Sequence, residues 1–144
     1  MPLVNFGSIL GFAEEIEKQH LDFLSQASVN PDCEKHRALF ESLAKSAKKR
    51  VTEVQRVRRE NVSEMVLAAI EGFQRDAYQA DVEDGSLMAP ELISAKAEAL
   101  SERAVRYYKK ATDKLQGQAD VARAMKGLVK KHEKDRKKLA ALHS

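Results

Sequence analysis

The sequence predicts an all-α fold: an antiparallel four-helix bundle made of two repeated helix pairs with one long crossover connection. Three observations predict it. The 144 residues include only six Gly and three Pro, while Ala, Leu, Glu and Lys, all good helix formers, dominate. Four long segments carry apolar residues at alternating steps of three and four. The chain also repeats: Ala13–Leu24 aligns with Ala97–Tyr108, apolar against apolar, at an offset of 84 residues, and Leu43-Ala44 answers Leu128-Val129 at an offset of 85. A repeat this long is a helix pair used twice, not a short solenoid unit.

Each element has a local cause. The first helix is expected from about Ser8 to Ala27, closed by Asn30-Pro31, with Asp32 as N-cap of a second helix that runs to about Glu60. Ser63-Glu64 opens a shorter helical piece ending at Ile70 or Phe73, and residues 81–88 read as a surface connection turning at Gly85. Pro90 suits the first turn of the third helix and Gly117 its end; the fourth fills Ala119 to Leu142. A single domain over residues 1–144 follows, with one repeat at about 8–60, the connection at about 61–89 and the second repeat at about 90–142.

Composition excludes several classes of protein. Residues are 43% hydrophobic and 33% charged, enough for one core, and no stretch approaches the roughly 18 apolar residues of a membrane span. The apolar run Leu3–Ala13 has no Lys or Arg before it and passes directly into Glu14-Glu15, unlike a signal peptide, so a cytoplasmic location is expected. Cys33 has no partner for an internal disulfide and reads as a packing residue near a helix start. His36 and His143 lie off the apolar stripes and read as solvent-facing. Neither a Gly-rich phosphate loop nor a Ser/His/Asp arrangement is present.

The stripes themselves carry the chemistry. Helix four steps through Met125, Leu128, His132, Asp135, Leu139 and Leu142, and helix two through Phe40, Leu43, Ala47, Arg50, Val54 and Val57. Helix one gives Ala13, Glu17, His20, Leu24 and Ala27; helix three gives Ala97, Ser101, Ala104, Tyr108 and Ala111. Every helix therefore turns at least one polar side chain toward the interior, where an apolar one is the norm.

These residues give the chain a resemblance to the ferritin-like superfamily, most closely to rubrerythrin-type di-iron bundles. In that family helices one and three place a ligand Glu six residues before an aromatic pair, and helices two and four follow Leu-Ala with Glu-x-x-His. Here Glu17 stands six before Phe23, and Ser101 stands six before Tyr107-Tyr108. Leu43-Ala44 leads to Ala47 and Arg50, and Leu128-Val129 leads to His132 and Asp135. The resemblance implies the bundle fold and six metal ligands, of which Glu17 alone is kept in kind.

A di-iron pair needs about four carboxylates and two imidazoles. The present set is Glu17, His20, His132 and Asp135 with the permanent cation Arg50, which repels a metal and competes for the same carboxylates. The expected site is thus a polar core of Glu17, His20, Arg50, Ser101, His132 and Asp135 in which Arg50 binds Glu17 and Asp135, the histidines and Ser101 complete the hydrogen bonds, and one protonated imidazole balances the charge. No cofactor and no catalytic residue are expected, and the function is that of a binding or scaffold protein. Two alternatives stand beside it. Glu17, His20, His132 and Asp135 form two i, i+3 pairs that suit a single Fe, Mn or Zn ion, or a residual di-iron oxidoreductase.

The second alternative is binding of nucleic acid or another polyanion. Lys48, Lys49 and Arg56 on helix two and Lys130, Lys134 and Lys137 on helix four belong to basic runs that neighbouring helices place side by side, in a chain of formal net charge +3. No recognised nucleic-acid motif accompanies them, and such runs ordinarily mark a solvated face. A homodimer is expected, because bundles of the family the chain resembles commonly associate and apolar residues such as Met65, Leu67, Ile70 and Phe73 need a cover; the sequence identifies no partner protein.

Overall fold

The computed structural model describes residues 6–60, 75–80, 88–115 and 118–141. It is all-helical, and no strand occurs among the described residues. The long helices are α1 (Phe6–Ser28), α2 (Arg37–Glu60), α3 (Pro90–Lys114) and α4 (Ala119–Ala140). Short 3-10 helices at Pro31–His36 and Arg75–Tyr78 complete the order. No helix among the described residues is long and apolar enough to cross a membrane. The helical piece expected after Ser63, the Gly85 turn, the Gly117 stop and the apolar residues Met65, Leu67, Ile70 and Phe73 lie outside the described residues.

The predicted stripes are the buried faces. Each described residue of the four seams, including all six polar ones, is inaccessible to solvent or nearly so. Their apolar members form two separate clusters. One unites Ile9–Ile16 of α1, Val54 and Val57 of α2, Ala104–Leu115 of α3 and Val121–Leu128 of α4. The other unites Phe23–Ala27, Cys33–Ala47, Ile93–Leu100 and Leu139. Glu17, His20, Arg50, Ser101, His132 and Asp135 belong to neither and form a polar waist between them. The Tyr107 hydroxyl anchors the first cluster by donating to the Ile9 carbonyl at 2.6 Å, and its ring meets Phe12 and Tyr78 edge to face.

The start of the second helical region differs from expectation. Asn30, not Asp32, is the cap: its side-chain oxygen accepts from the Asp32 N–H at 2.8 Å, and Pro31 takes the first position. A 3-10 segment then precedes α2, because Cys33 leaves helical geometry (φ −104°, ψ 17°) and buries its thiol in the second cluster. Burial raises the Cys33 pKa, which suits a packing residue and not a reactive thiolate. His36 is solvent-exposed. Asn30 also donates to the Met88 carbonyl at 2.8 Å, tying this corner to the entry of α3. Asn30→Ala is accordingly expected to lower unfolding free energy by about 1–2 kcal/mol in urea titrations, whereas Asp32→Ala stays within about 0.5 kcal/mol.

Candidate functional site

Arg50 is the centre of the waist. It occupies an interior step of α2 with no exposed surface, and a buried guanidinium must find acceptors because it cannot shed its proton. Its Nε donates to Glu17 Oε1 of α1 at 2.8 Å, and its Nη1 to Asp135 Oδ2 of α4 at 2.6 Å. Nη1 also donates to Ser46 Oγ, one turn earlier on α2, at 3.0 Å. Ser46 in turn donates to Asp135 Oδ1 at 3.4 Å. Arg50 thus joins α1 and α4 through α2 and holds both carboxylates.

Glu17 is satisfied on both oxygens. Besides Arg50, the Tyr108 hydroxyl donates to Oε2 at 2.5 Å, and His132 Nε2 lies 2.8 Å from the same atom. Burial opposes charge on Glu17, but His132 and the fixed guanidinium of Arg50 outweigh it and hold the carboxyl well below the usual carboxylate range. Burial, with the Glu17 charge beside it, drives the Tyr108 pKa far up, so this hydroxyl keeps its proton and acts as a donor. The aromatic pair of α3 is divided in use: Tyr107 secures the apolar end and Tyr108 serves the waist.

The histidines and Ser101 behave differently from the expectation that all three complete the network. Only His132 bonds a member of it. Ser101 Oγ and His20 Nδ1 are buried without a hydrogen-bond partner among the described residues, as are His132 Nδ1 and Arg50 Nη2. Ser101 Oγ, on α3, makes no bond to Arg50. Ser46 succeeds because it shares a helix face with the arginine. His20 instead stacks on His132, ring centres 5.3 Å apart and planes 15° from parallel.

Charge balance is reached without an imidazolium. Burial lowers the pKa of His20, with His132 and Arg50 adding to it, and burial lowers that of His132 despite Glu17. Both rings are neutral at pH 7. The second cation is Arg103 of α3, which sequence reasoning missed: it is 4% exposed, donates from Nη1 to Gln19 Oε1 at 2.9 Å and to the Tyr78 carbonyl at 3.2 Å, and lies in the field of Glu17. Its Nε and Nη2 have no acceptor among the described residues. Two carboxylates and two guanidiniums leave the interior neutral.

For metal binding, Glu17, His20 and His132 each bring one ligand atom to within 4.8 Å of the others. Asp135, the fourth expected ligand, is turned to Arg50 and Ser46. Comparison with family models, with curated proteins and with solved structures finds no match to this chain.

Two outcomes follow. Removing one partner of a buried ion pair leaves the others uncompensated, so Arg50→Met should cost about 3–5 kcal/mol by denaturant unfolding. The double variant Arg50→Met/Asp135→Leu, which restores charge balance, should regain more than half of that. The histidines set a pH dependence. Their folded pKa values lie below the unfolded value near 6.5, so the unfolded chain binds more protons below that pH and stability falls as pH drops. Between pH 7 and 5.5 the loss should be about 2 kcal/mol, and His20→Gln with His132→Gln should flatten the slope.

Proposed function

We propose that the chain is a non-catalytic four-helix bundle of ferritin-like, rubrerythrin-related type whose metal centre has been replaced by a guanidinium, and that it acts as a binding or scaffold protein. The observation that carries this reading is the double ion pair of Arg50 to Glu17 and Asp135, at 2.8 and 2.6 Å, with no solvent access to the arginine. It puts a fixed positive charge between two carboxylates at positions that the resemblance assigns to metal ligands. The charge is supplied by the chain itself and cannot change oxidation state. No reacting atom is available in such a core, and Glu17, the one ligand kept in kind, has both oxygens committed.

An antiparallel bundle is supported by which residues meet. Glu14 of α1 reaches Arg58 of α2 at 2.7 Å, while Glu17, further along α1, meets Arg50, earlier in α2. The first apolar cluster likewise pairs the beginning of α1 with the ends of α2 and α3 and the beginning of α4, and the second pairs their opposite ends. The homodimer belongs to the same reading and is checked by sedimentation equilibrium.

A second reading is favoured by one observation: Glu17, His20 and His132 are mutually close, and His20 Nδ1 and His132 Nδ1 are buried without partners among the described residues. A single Zn, Mn or Fe ion suits such a set. Metal analysis of untagged protein, with diffraction above and below the iron, manganese and zinc absorption edges, decides between them. The guanidinium reading expects well under one metal per chain and no anomalous peak in the waist. One ion per chain on Glu17, His20 and His132 would establish the second reading. Two ions with Arg50 displaced to solvent would return the protein to di-iron redox chemistry.

A further inference from the structure

On the outer side of the waist, sharing Ser46 and Asp135 with it, α2 and α4 form a cleft of about 320 Å³ whose walls are built in the same register. From α2 come Ser42, Lys45, Ser46 and Lys49; from α4 come Lys131, Lys134, Asp135 and Lys138. Both sets follow the spacing i, i+3, i+4, i+7, so each is one stripe of a helix. Five lysines therefore line one space. The only carboxylate lining it among the described residues, Asp135, is already bonded to Arg50 and Ser46.

Several surface cations outside the cleft are paired, whereas others, such as Lys48, Lys96 and Lys130, form no ion pair among the described residues, so what sets the cleft apart is the number of cations lining it. Lys18 sits on Glu14 at 2.7 Å, Arg56 on Glu53 and Glu60 at 2.5 and 2.6 Å, and Arg106 on Glu102 at 3.1 Å. A neighbouring cleft that shares Lys131 is lined by Glu53, Glu60 and Asp120 as well as by arginines. None of the five cleft lysines forms an ion pair among the described residues. Lys45 and Lys49 are four apart, and Lys131, Lys134 and Lys138 are three and four apart, spacings at which like charges disfavour a helix. Two such stripes facing each other raise that repulsion and focus a positive field on the space between.

We propose that this cleft binds a compact, multiply charged phosphate compound, of the di- or triphosphate class. Ammonium groups are point charges suited to phosphoryl oxygens, and the hydroxyl of Ser42 adds a neutral donor on the α2 wall. The volume equals that of about ten water molecules, on the order of a short phosphate chain. Among the described residues no aromatic side chain lines the cleft to stack on a nucleobase, so an extended single strand is the less suited ligand. The proposal goes beyond the reading of the buried core and rests on it in one respect, that Arg50 holds the Asp135 carboxylate on the cleft wall.

The test is calorimetric titration of the full chain with sodium tripolyphosphate at about 100 mM salt, where diffuse surface attraction is largely screened. Wild type is expected to bind one equivalent. Lys49→Gln/Lys134→Gln removes two cleft charges and should weaken binding by about tenfold or more. Lys48→Gln/Lys130→Gln removes two exposed charges outside the cleft and should leave affinity within about twofold, since only the general field changes. All four positions are exposed, and circular dichroism checks that each variant is folded. Absence of saturable binding, or equal loss in the two double variants, would overturn the proposal. So would single-stranded DNA binding that tripolyphosphate does not displace.

Discussion

A cation that cannot lose its proton, placed where water does not reach, is the constraint on which this structure is organised. Arg50 requires acceptors on opposite sides of its planar fork, and the two it finds come from α1 and α4. Glu17 then needs donors for its second oxygen, which brings in Tyr108 of α3 and His132 of α4. Through one side chain and its dependants, all four helices are specified at a single level. The desolvation cost of such a cluster offsets most of its attraction, so its value lies in fixing one arrangement, while the two apolar clusters supply the stabilisation.

Much of this was legible because helical spacing encodes direction. The steps of three and four that carry Phe40, Leu43, Ala47, Val54 and Val57 also carry Arg50, and a residue in such a series faces the same way as its neighbours whatever its polarity. The same reasoning placed Glu17, His20, Ser101, His132 and Asp135, each of which is buried. What was not legible depends on width and on reach. Arg103 lies beside the narrow seam through Ser101, Ala104 and Tyr108. A helix inside a four-helix interior buries a broader face than that seam, and Leu100, Arg103 and Tyr107 are all drawn in. Ser46 owes its role to Asp135, 89 residues away, a pairing no local pattern announces. The cap was a closer matter: Asn30 and Asp32 are both good cap residues, and the preference of proline for a first helical position, at Pro31, is the signal that favours Asn30.

The neutral histidines show why counting charged groups in the sequence misassigned the balance. Two carboxylates against one guanidinium invite a protonated imidazole, but burial penalises a third charge more than a pre-existing distant one. Arg103 supplies the missing positive charge from the rim of the waist, where it still meets Gln19 and the Tyr78 carbonyl. His20 and His132 are thereby left to stack as uncharged rings. Among the described residues, the interior holds no net charge to be screened by solvent.

The separation of the apolar interior into two clusters has a mechanical meaning. Were the seams apolar throughout, a helix sliding lengthwise by one turn would exchange one greasy neighbour for another at small cost. Here such a slide carries a guanidinium into a layer of Leu43, Phe40 and Leu24, or of Val54 and Met125, and abandons two carboxylates behind it. The charged belt therefore acts as an indexing pin: it leaves the helices free to breathe outward, but forbids them to travel along their own axes.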